Sequence, residues 1–303
     1  MKPALIAILF GPAILLGATV SFAPGTDTVE VRIDGKPFTT FHYESKWDKP
    51  FLHPIRTASG AVVTRRWPVE QQTGEIEDHT WHRGVWWSHG DINGADFWRE
   101  LGHGKTGKLV LRGKPRTKGN VLEADCDFID AAGKRHGSAL QQFAFGASGG
   151  LIWIDVTITV RADAGLPVVF GDTEDGGFGF RYSDDFRENR GAKLRNAEGL
   201  DGTKAIWGKR SKWVDYSTVR DGKTIGVALF DHPSNPRHPT YWHARGYGLN
   251  AANPFGVSDF ARDKSRNGKL EVPQGKTLRF RYRVAVHEGA DPEALWKAFA
   301  AKK

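Results

Sequence analysis

The chain predicts an all-β fold, a large antiparallel β-sandwich closed by one short C-terminal helix. Three observations carry this. Apolar residues recur with a period of two: across Leu151–Arg161, Ile152, Ile154, Val156, Ile158 and Val160 alternate with polar or aromatic neighbours, the pattern of a long half-buried strand. Turn signals fall at short intervals, among them Asp34-Gly35, Ala132-Gly133, Asp221-Gly222 and Pro273-Gln274-Gly275. Helical signals are clear only at the end, where Asp291 stands as an N-cap before Pro292 and an amphipathic run. Many strands separated by turns, with no helices between them, pack as stacked antiparallel sheets.

Taken in order, the elements begin with Met1-Lys2-Pro3 and an apolar run over 4–17, followed by the small residues Ser21-Phe22-Ala23. This is the layout of a signal peptide, 1–23, with a single domain over 24–303 exported to the periplasm or the medium. The run is broken by Gly11-Pro12 and is short for a membrane span. No later stretch is long and apolar enough to cross a bilayer, so no membrane insertion is expected after cleavage. Strands are expected at 28–33, 108–112, 121–129, 140–145, 151–161, 212–216, 224–230 and 277–287. Two segments break this rhythm. Residues 171–181 are acidic, glycine-rich and then basic, and 231–245 carry Pro233, Pro236 and Pro239. The second, punctuated by its prolines, reads as an ordered irregular loop on a rigid scaffold, where chemistry is usually carried.

Formal charge is +8, or +7 once Lys2 leaves with the signal peptide, and it is spread without a dense basic run. Nucleic acid is therefore not an expected partner. The single cysteine, Cys126, cannot form an internal disulfide and reads as a small buried hydrophobe, so stability rests on core burial. Five of the eleven tryptophans, Trp67, Trp81, Trp86, Trp87 and Trp98, lie close together in sequence. That clustering suits a sugar-stacking cleft as well as core filling.

The segment from His82 to Trp98 concentrates two histidines, two carboxylates and three tryptophans around Asn93-Gly94, a two-residue hairpin turn. Continued as a regular hairpin, Ile92 pairs with Ala95, Asp91 with Asp96 and His89 with Trp98. His89, Asp91, Asp96 and Trp98 would then share one face. Opposed carboxylates destabilise a sheet, which points to a compensating cation, shared proton or ligand hydroxyl. In the same regular strand His82 is out of phase with His89 and joins it only through a bulge at Gly84.

Three stretches resemble one bacterial family. They are Lys49-Pro-Phe-Leu-His-Pro-Ile-Arg-Thr57, the block 82–98, and 230–243 continued through 248–255. The family is labelled PmoA-like, after a methane monooxygenase subunit, and the resemblance covers nearly all of 24–303. It implies an exported protein with a β-supersandwich of the galactose-mutarotase type and carbohydrate chemistry. The label itself implies a metal-dependent oxidoreductase; the true subunit is a polytopic membrane copper protein, whereas no span is expected here. By the same resemblance, mutarotase-type sandwiches pair histidine acids with a carboxylate base on a concave sheet face. His89 and His243 then take the roles of proton donor and binder, and Glu174 that of base.

The expected function is thus an exported carbohydrate-active enzyme, a hydrolase, lyase or epimerase, with a non-catalytic carbohydrate-binding protein and a metal-dependent oxidoreductase as alternatives. Glycosyl transfer to water needs an acid and a base, or an acid and a nucleophile, across one bond; epimerase or lyase chemistry needs a base opposite a donor, with arginine to hold an acidic sugar. The candidate catalytic residues are His89, Glu174, His243 and Asp91. The candidate binding residues are His82, Asp96, Trp98, Arg181, Arg56, His53, Trp87 and His238. Several have a plainer use: Asp91 and Asp96 can bond the amides of the turn, Glu174 can be a solvated loop acid, and His53 with Arg56 can be structural. No cofactor is expected; a divalent metal, if present, would take His82, His89 and Asp91, although their spacing matches no tight metal pattern. Sugar, linkage and oligomeric state are left open.

Overall fold

A computed structural model describes residues 17–102 and 106–302. Two nine-stranded antiparallel sheets hold one apolar core between them. The first sheet runs, edge to edge, Val20–Pro24, Thr28–Ile33, Lys36–His42, Phe51–Leu52, Val85–His89, Gly176–Arg181, Leu249–Asn253, Thr240–Arg245 and Arg210–Ser211. The second runs Lys193–Asn196, Trp213–Arg220, Lys223–Asp231, Thr277–His287, Leu151–Arg161, Arg135–Ser148, Val121–Ile129 and Lys108–Leu111, with Arg116–Lys118 also paired to Val121–Ile129. This is the all-β sandwich that the alternation predicts. Strand Leu151–Arg161 shows why: Ile154 and Val156, which alternate with polar neighbours, are buried and lie beside Phe145 and Val284, and Phe143 and Tyr282.

Among the described residues three short α-helices accompany the sheets. The expected C-terminal one spans Pro292–Ala300, and the Asp291 carboxylate accepts from the amides of Glu293 and Ala294. It buries Phe299 against Phe230. The other two, Thr203–Ile206 and Val257–Ala261, are too short to imprint a 3.6-residue pattern and were not expected. Residues 1–16 of the expected signal peptide lie outside the described residues. Positions 20–23 form most of the edge strand Val20–Pro24, and Phe22 packs edge-on against Phe145 at 6.0 Å. Among the described residues no helix is long and apolar enough to cross a membrane.

The hairpin at 82–98 departs from its expected register. The turn itself forms, with Asn93 at φ 53° and Gly94 at φ 87°, and Ile92 and Ala95 exchange both backbone bonds. The next bond, however, runs from Phe97 N to His89 O, so Gly90 and Asp91 together oppose Asp96. That extra residue is a bulge, and a one-residue slip turns every later side chain to the other face. Phe97 therefore follows His89 into the core, and Trp98 goes to the opposite side.

Candidate functional site

Alternation along the first sheet sorts its central strands into a core face and an outer face. Trp87, Phe178, Ala252 and Trp242 form one cross-strand row inside the sandwich. On the outer face the matching row is Trp86, Gly179, Ala251 and His243, flanked by Arg181, Leu249 and Arg245. Two small residues at the centre leave a floor between an indole and an imidazole. Gly179 is required there, because a methyl at that position would stand 2.6 Å from Trp86 Cζ2.

The segment 65–82 and the loop 96–100 cover this floor. Arg65 shapes the first from inside, donating to the carbonyls of Asp78 at 2.6 Å, His79 at 2.9 Å and His82 at 3.0 Å, and pairing with the Asp78 carboxylate. Lys49 fixes the second, donating to Trp98 O at 2.7 Å and to Glu100, which also pairs with Arg83. The result is a pile of nearly parallel rings. Tyr247 lies on His79 at 5.3 Å, His79 on His82 at 4.9 Å, and His82 on Trp86 at 5.3 Å. Trp98 closes the pile, 5.1 Å from Trp86. Beside it stands a polar rim of Glu174, Asp175, Arg245 and Arg99, with the half-buried Trp81 and Trp207 adjoining.

Charge at this face is set by burial and by four arginines. His82 is pushed well below the ordinary histidine value, first by burial and then by Arg181, so it is neutral. His243 is lowered to about 4 by burial and by Arg245. Its tautomer follows from its partners: Nδ1 donates to Glu174 O at 2.8 Å, and Nε2 accepts from Arg245 Nε at 2.8 Å. Burial would raise the Asp78 carboxyl, but the hydrogen bond from His79 and the charges of Arg181 and Arg65 outweigh it and hold it at about 2. Burial raises Glu174 and Asp175 despite Arg245 and Arg99 nearby. Glu174 receives Arg245 Nη2 at 3.2 Å and keeps about a third of its side chain in solvent, 34%. A carboxylate with a raised pKa beside a guanidinium and open to solvent can take a proton from a bound hydroxyl or C–H.

The expected site residues divide between this face and other places. Glu174, His243, His82, Trp98 and Arg181 belong to the outer face, and Asp96 reaches its rim through Arg99. His89 does not. It points into the core against Phe255 at 4.6 Å and Phe170 at 5.6 Å, and Nε2 bonds Gly171 O at 2.8 Å. Trp87, two residues earlier on the same face, packs on Phe128 and Phe170. Asp91 is taken up locally, accepting Gly94 N at 2.8 Å, and Asp96 accepts the amides of Trp98 and Arg99. His53 is buried between Thr64 and Glu70, with Arg56 in the adjoining bridge to Val62. His238 bonds Asp231 at 2.7 Å and stacks on Trp296 of the C-terminal helix.

The conditional metal set is split by the sheet, since His82 lies outside and His89 inside. No group of three or more His, Cys, Asp or Glu side chains suited to a metal occurs among the described residues. The donor set does not fit a copper or other metal centre of the kind that the PmoA-like label implies.

Arg65, Asp78, Asp175, Arg245 and Tyr247 were not singled out from the sequence. Asp175 had a signal, its adjacency to Glu174 in the acidic segment. Tyr247 had none, because only folding brings it over Arg181.

With this geometry in view, the comparisons with known proteins decide the family. A family model matches residues 28–300. The chain belongs to DUF6807, a family of unknown function. The PmoA-like label finds no support among these comparisons. No curated protein matches this DUF6807 sequence. Among solved structures, it is similar to a galactose mutarotase-like protein from Clostridium acetobutylicum, with 8% identity, TM-score 0.38, and 90% of this chain and 99% of that one covered. It is similar to a galactose mutarotase related enzyme from Lactobacillus acidophilus, at 8% identity and TM-score 0.38, covering 90% and 98%. It is also similar to the Slr1438 protein from Synechocystis sp. PCC 6803, at 12% identity and TM-score 0.34, covering 93% and 99%.

Proposed function

We propose that this DUF6807 protein is an exported carbohydrate-active enzyme whose outer sheet face binds a saccharide ring and acts on it with Glu174 as base. One observation carries the reading: Glu174, with its raised pKa and its solvent access, stands beside His243 and Arg245 on the same face as the ring pile of Tyr247, His79, His82 and Trp86. Aromatic faces supply the apolar side of a sugar with a surface, while carboxylates and guanidiniums bond its hydroxyls. The apolar N-terminal run supports export to the periplasm or the medium. In this reading His243 orients Arg245 and the Glu174 backbone and is not the proton donor, since both of its nitrogens are engaged within the protein.

The same observation about His243 favours a second reading, a non-catalytic saccharide-binding protein that uses this face. Titration calorimetry and product analysis over a saccharide panel separate the two. The enzyme reading expects turnover that Glu174→Gln abolishes while binding persists, and expects Tyr247→Ala to weaken binding by about tenfold, or ~1.4 kcal/mol. Saturable binding without turnover leaves the second reading. No binding by any saccharide ends both.

A further inference from the structure

The covered part of the outer face carries buried donors that are not all spent. Arg65 and Arg181 are both buried and share one carboxylate, Asp78, which sits 2.5 Å from Arg181 Nη2. His82 beside them is neutral, so in direct contact two guanidiniums share one carboxylate, with Glu75 and Asp184 acting on them from further off. Among the described residues, Arg181 Nε and Nη1 have no hydrogen-bond partner, nor does either nitrogen of His82 or the indole N–H of Trp86 or Trp98. These groups are neighbours: His82 lies against both indoles and stacks on His79, whose partner Tyr247 covers Arg181, and Arg65 links the His82 carbonyl to the Asp78 carboxylate that Arg181 shares. The comparable triad of Lys49, Glu100 and Arg83 also sets two cations on one carboxylate, but there, among the described residues, Arg83 Nε alone is left without a partner. Lys49 and Arg83 meet Glu100 and spend further donors on the carbonyls of Trp98 and Thr80. Leaving a buried donor unpaired costs about 1–3 kcal/mol, so a cluster of them marks a place where a partner belongs.

We propose that the saccharide bound at this face is acidic, and that Arg181, with His82 beside it, receives the carboxylate of a uronic acid residue. This rests on the saccharide reading of the face and names its substrate class. A carboxylate supplies what the cluster lacks, two acceptor oxygens with a negative charge, and guanidinium is the side chain that matches it bidentately. Tyr247 lies over the Arg181 guanidinium at 4.6 Å, so the carboxylate reaches it with that ring turned outward. Glu174 on the rim then faces the hydroxyl and C–H side of the sugar. A formal charge of +8 on the whole chain draws acidic polymers toward it.

The test is calorimetric titration of the intact chain with oligouronides of galacturonic, glucuronic and mannuronic acid, each against the neutral oligosaccharide of equal length. At least one oligouronide is expected to bind about tenfold or more tightly than its neutral counterpart. That advantage should persist at about 0.5 M salt, where diffuse attraction is screened. Arg181→Lys keeps the charge opposite Asp78 but loses the fork, and is expected to bring the ratio within about threefold at an unchanged melting temperature. Equal or weaker binding of every uronide overturns the inference and leaves the saccharide reading standing. An advantage that vanishes with salt, or one that Arg181→Lys retains, overturns it too. If no saccharide binds, both fall. Should Arg181→Lys fail to fold, the comparison on the unaltered protein decides alone.

Discussion

Gly179 carries no side chain, and the outer face depends on that. Its neighbours across the sheet are Trp86 and Ala251, and the Trp86 indole lies over the space a methyl would fill. Its backbone is ordinary extended strand, so Gly179→Ala tests sterics rather than conformational freedom. Overpacking of this kind costs about 1–3 kcal/mol, and the chemical-denaturation midpoint of Gly179→Ala should fall accordingly, with Trp86 fluorescence shifted. An unchanged midpoint and emission would show that the indole does not rest there. The residue scale is also where sequence reasoning failed most clearly. His89 and Trp98 share a face in a regular hairpin, but the bulge of Gly90 and Asp91 against Asp96 separates them. A period-two pattern cannot reveal a bulge, because the extra residue is paid for by hydrogen bonds to segments far away in sequence, such as Gly90 N to Asp175 O.

At the scale of elements, long strands were legible and short ones were not. Leu151–Arg161 and Thr277–His287 each carry eleven residues, enough alternation to fix both identity and face. Phe51–Leu52 and Arg210–Ser211 have two residues apiece and exist only because neighbouring strands offer them bonds. The edge strand Val20–Pro24 overlaps the expected cleavage segment and gives a direct prediction. It sets Val20 and Phe22, each half-buried, against the core and forms five register pairs with Thr28–Ile33. A chain beginning at Pro24 should therefore be less stable than one beginning at Ala18 by roughly 2 kcal/mol, from about 1 kcal/mol for each partly buried side chain. Equal melting temperatures for the two chains would show that the strand is dispensable.

At the scale of the whole molecule, acid should unfold this protein through its buried histidines. His89 and His243 have folded pKa values lowered to about 4, and His82 is lowered well below the ordinary histidine value, in each case chiefly by burial. A histidine lowered in the folded state binds more protons when unfolded. Its contribution is therefore intact above the unfolded value near 6.5 and is lost as pH falls from there toward 4. Three such groups give a limiting slope of about 4 kcal/mol per pH unit in that window, moderated by Glu174 and Asp175, whose raised values act in the opposite sense. Melting temperature should drop steeply between pH 6.5 and 5, and a flat profile there would show that these imidazoles are solvated. The sequence by itself determined the sandwich, the C-terminal helix with its Asp291 cap and the richness of its aromatic residues, because these follow from local alternation, capping and composition. Tertiary structure alone decided which side chains share a surface. Glu174, His243, His82 and Arg181 meet there because their segments lie side by side or pack over one sheet, whereas His89, in phase with Trp87, faces the core and one inserted residue sends Trp98 to the other side.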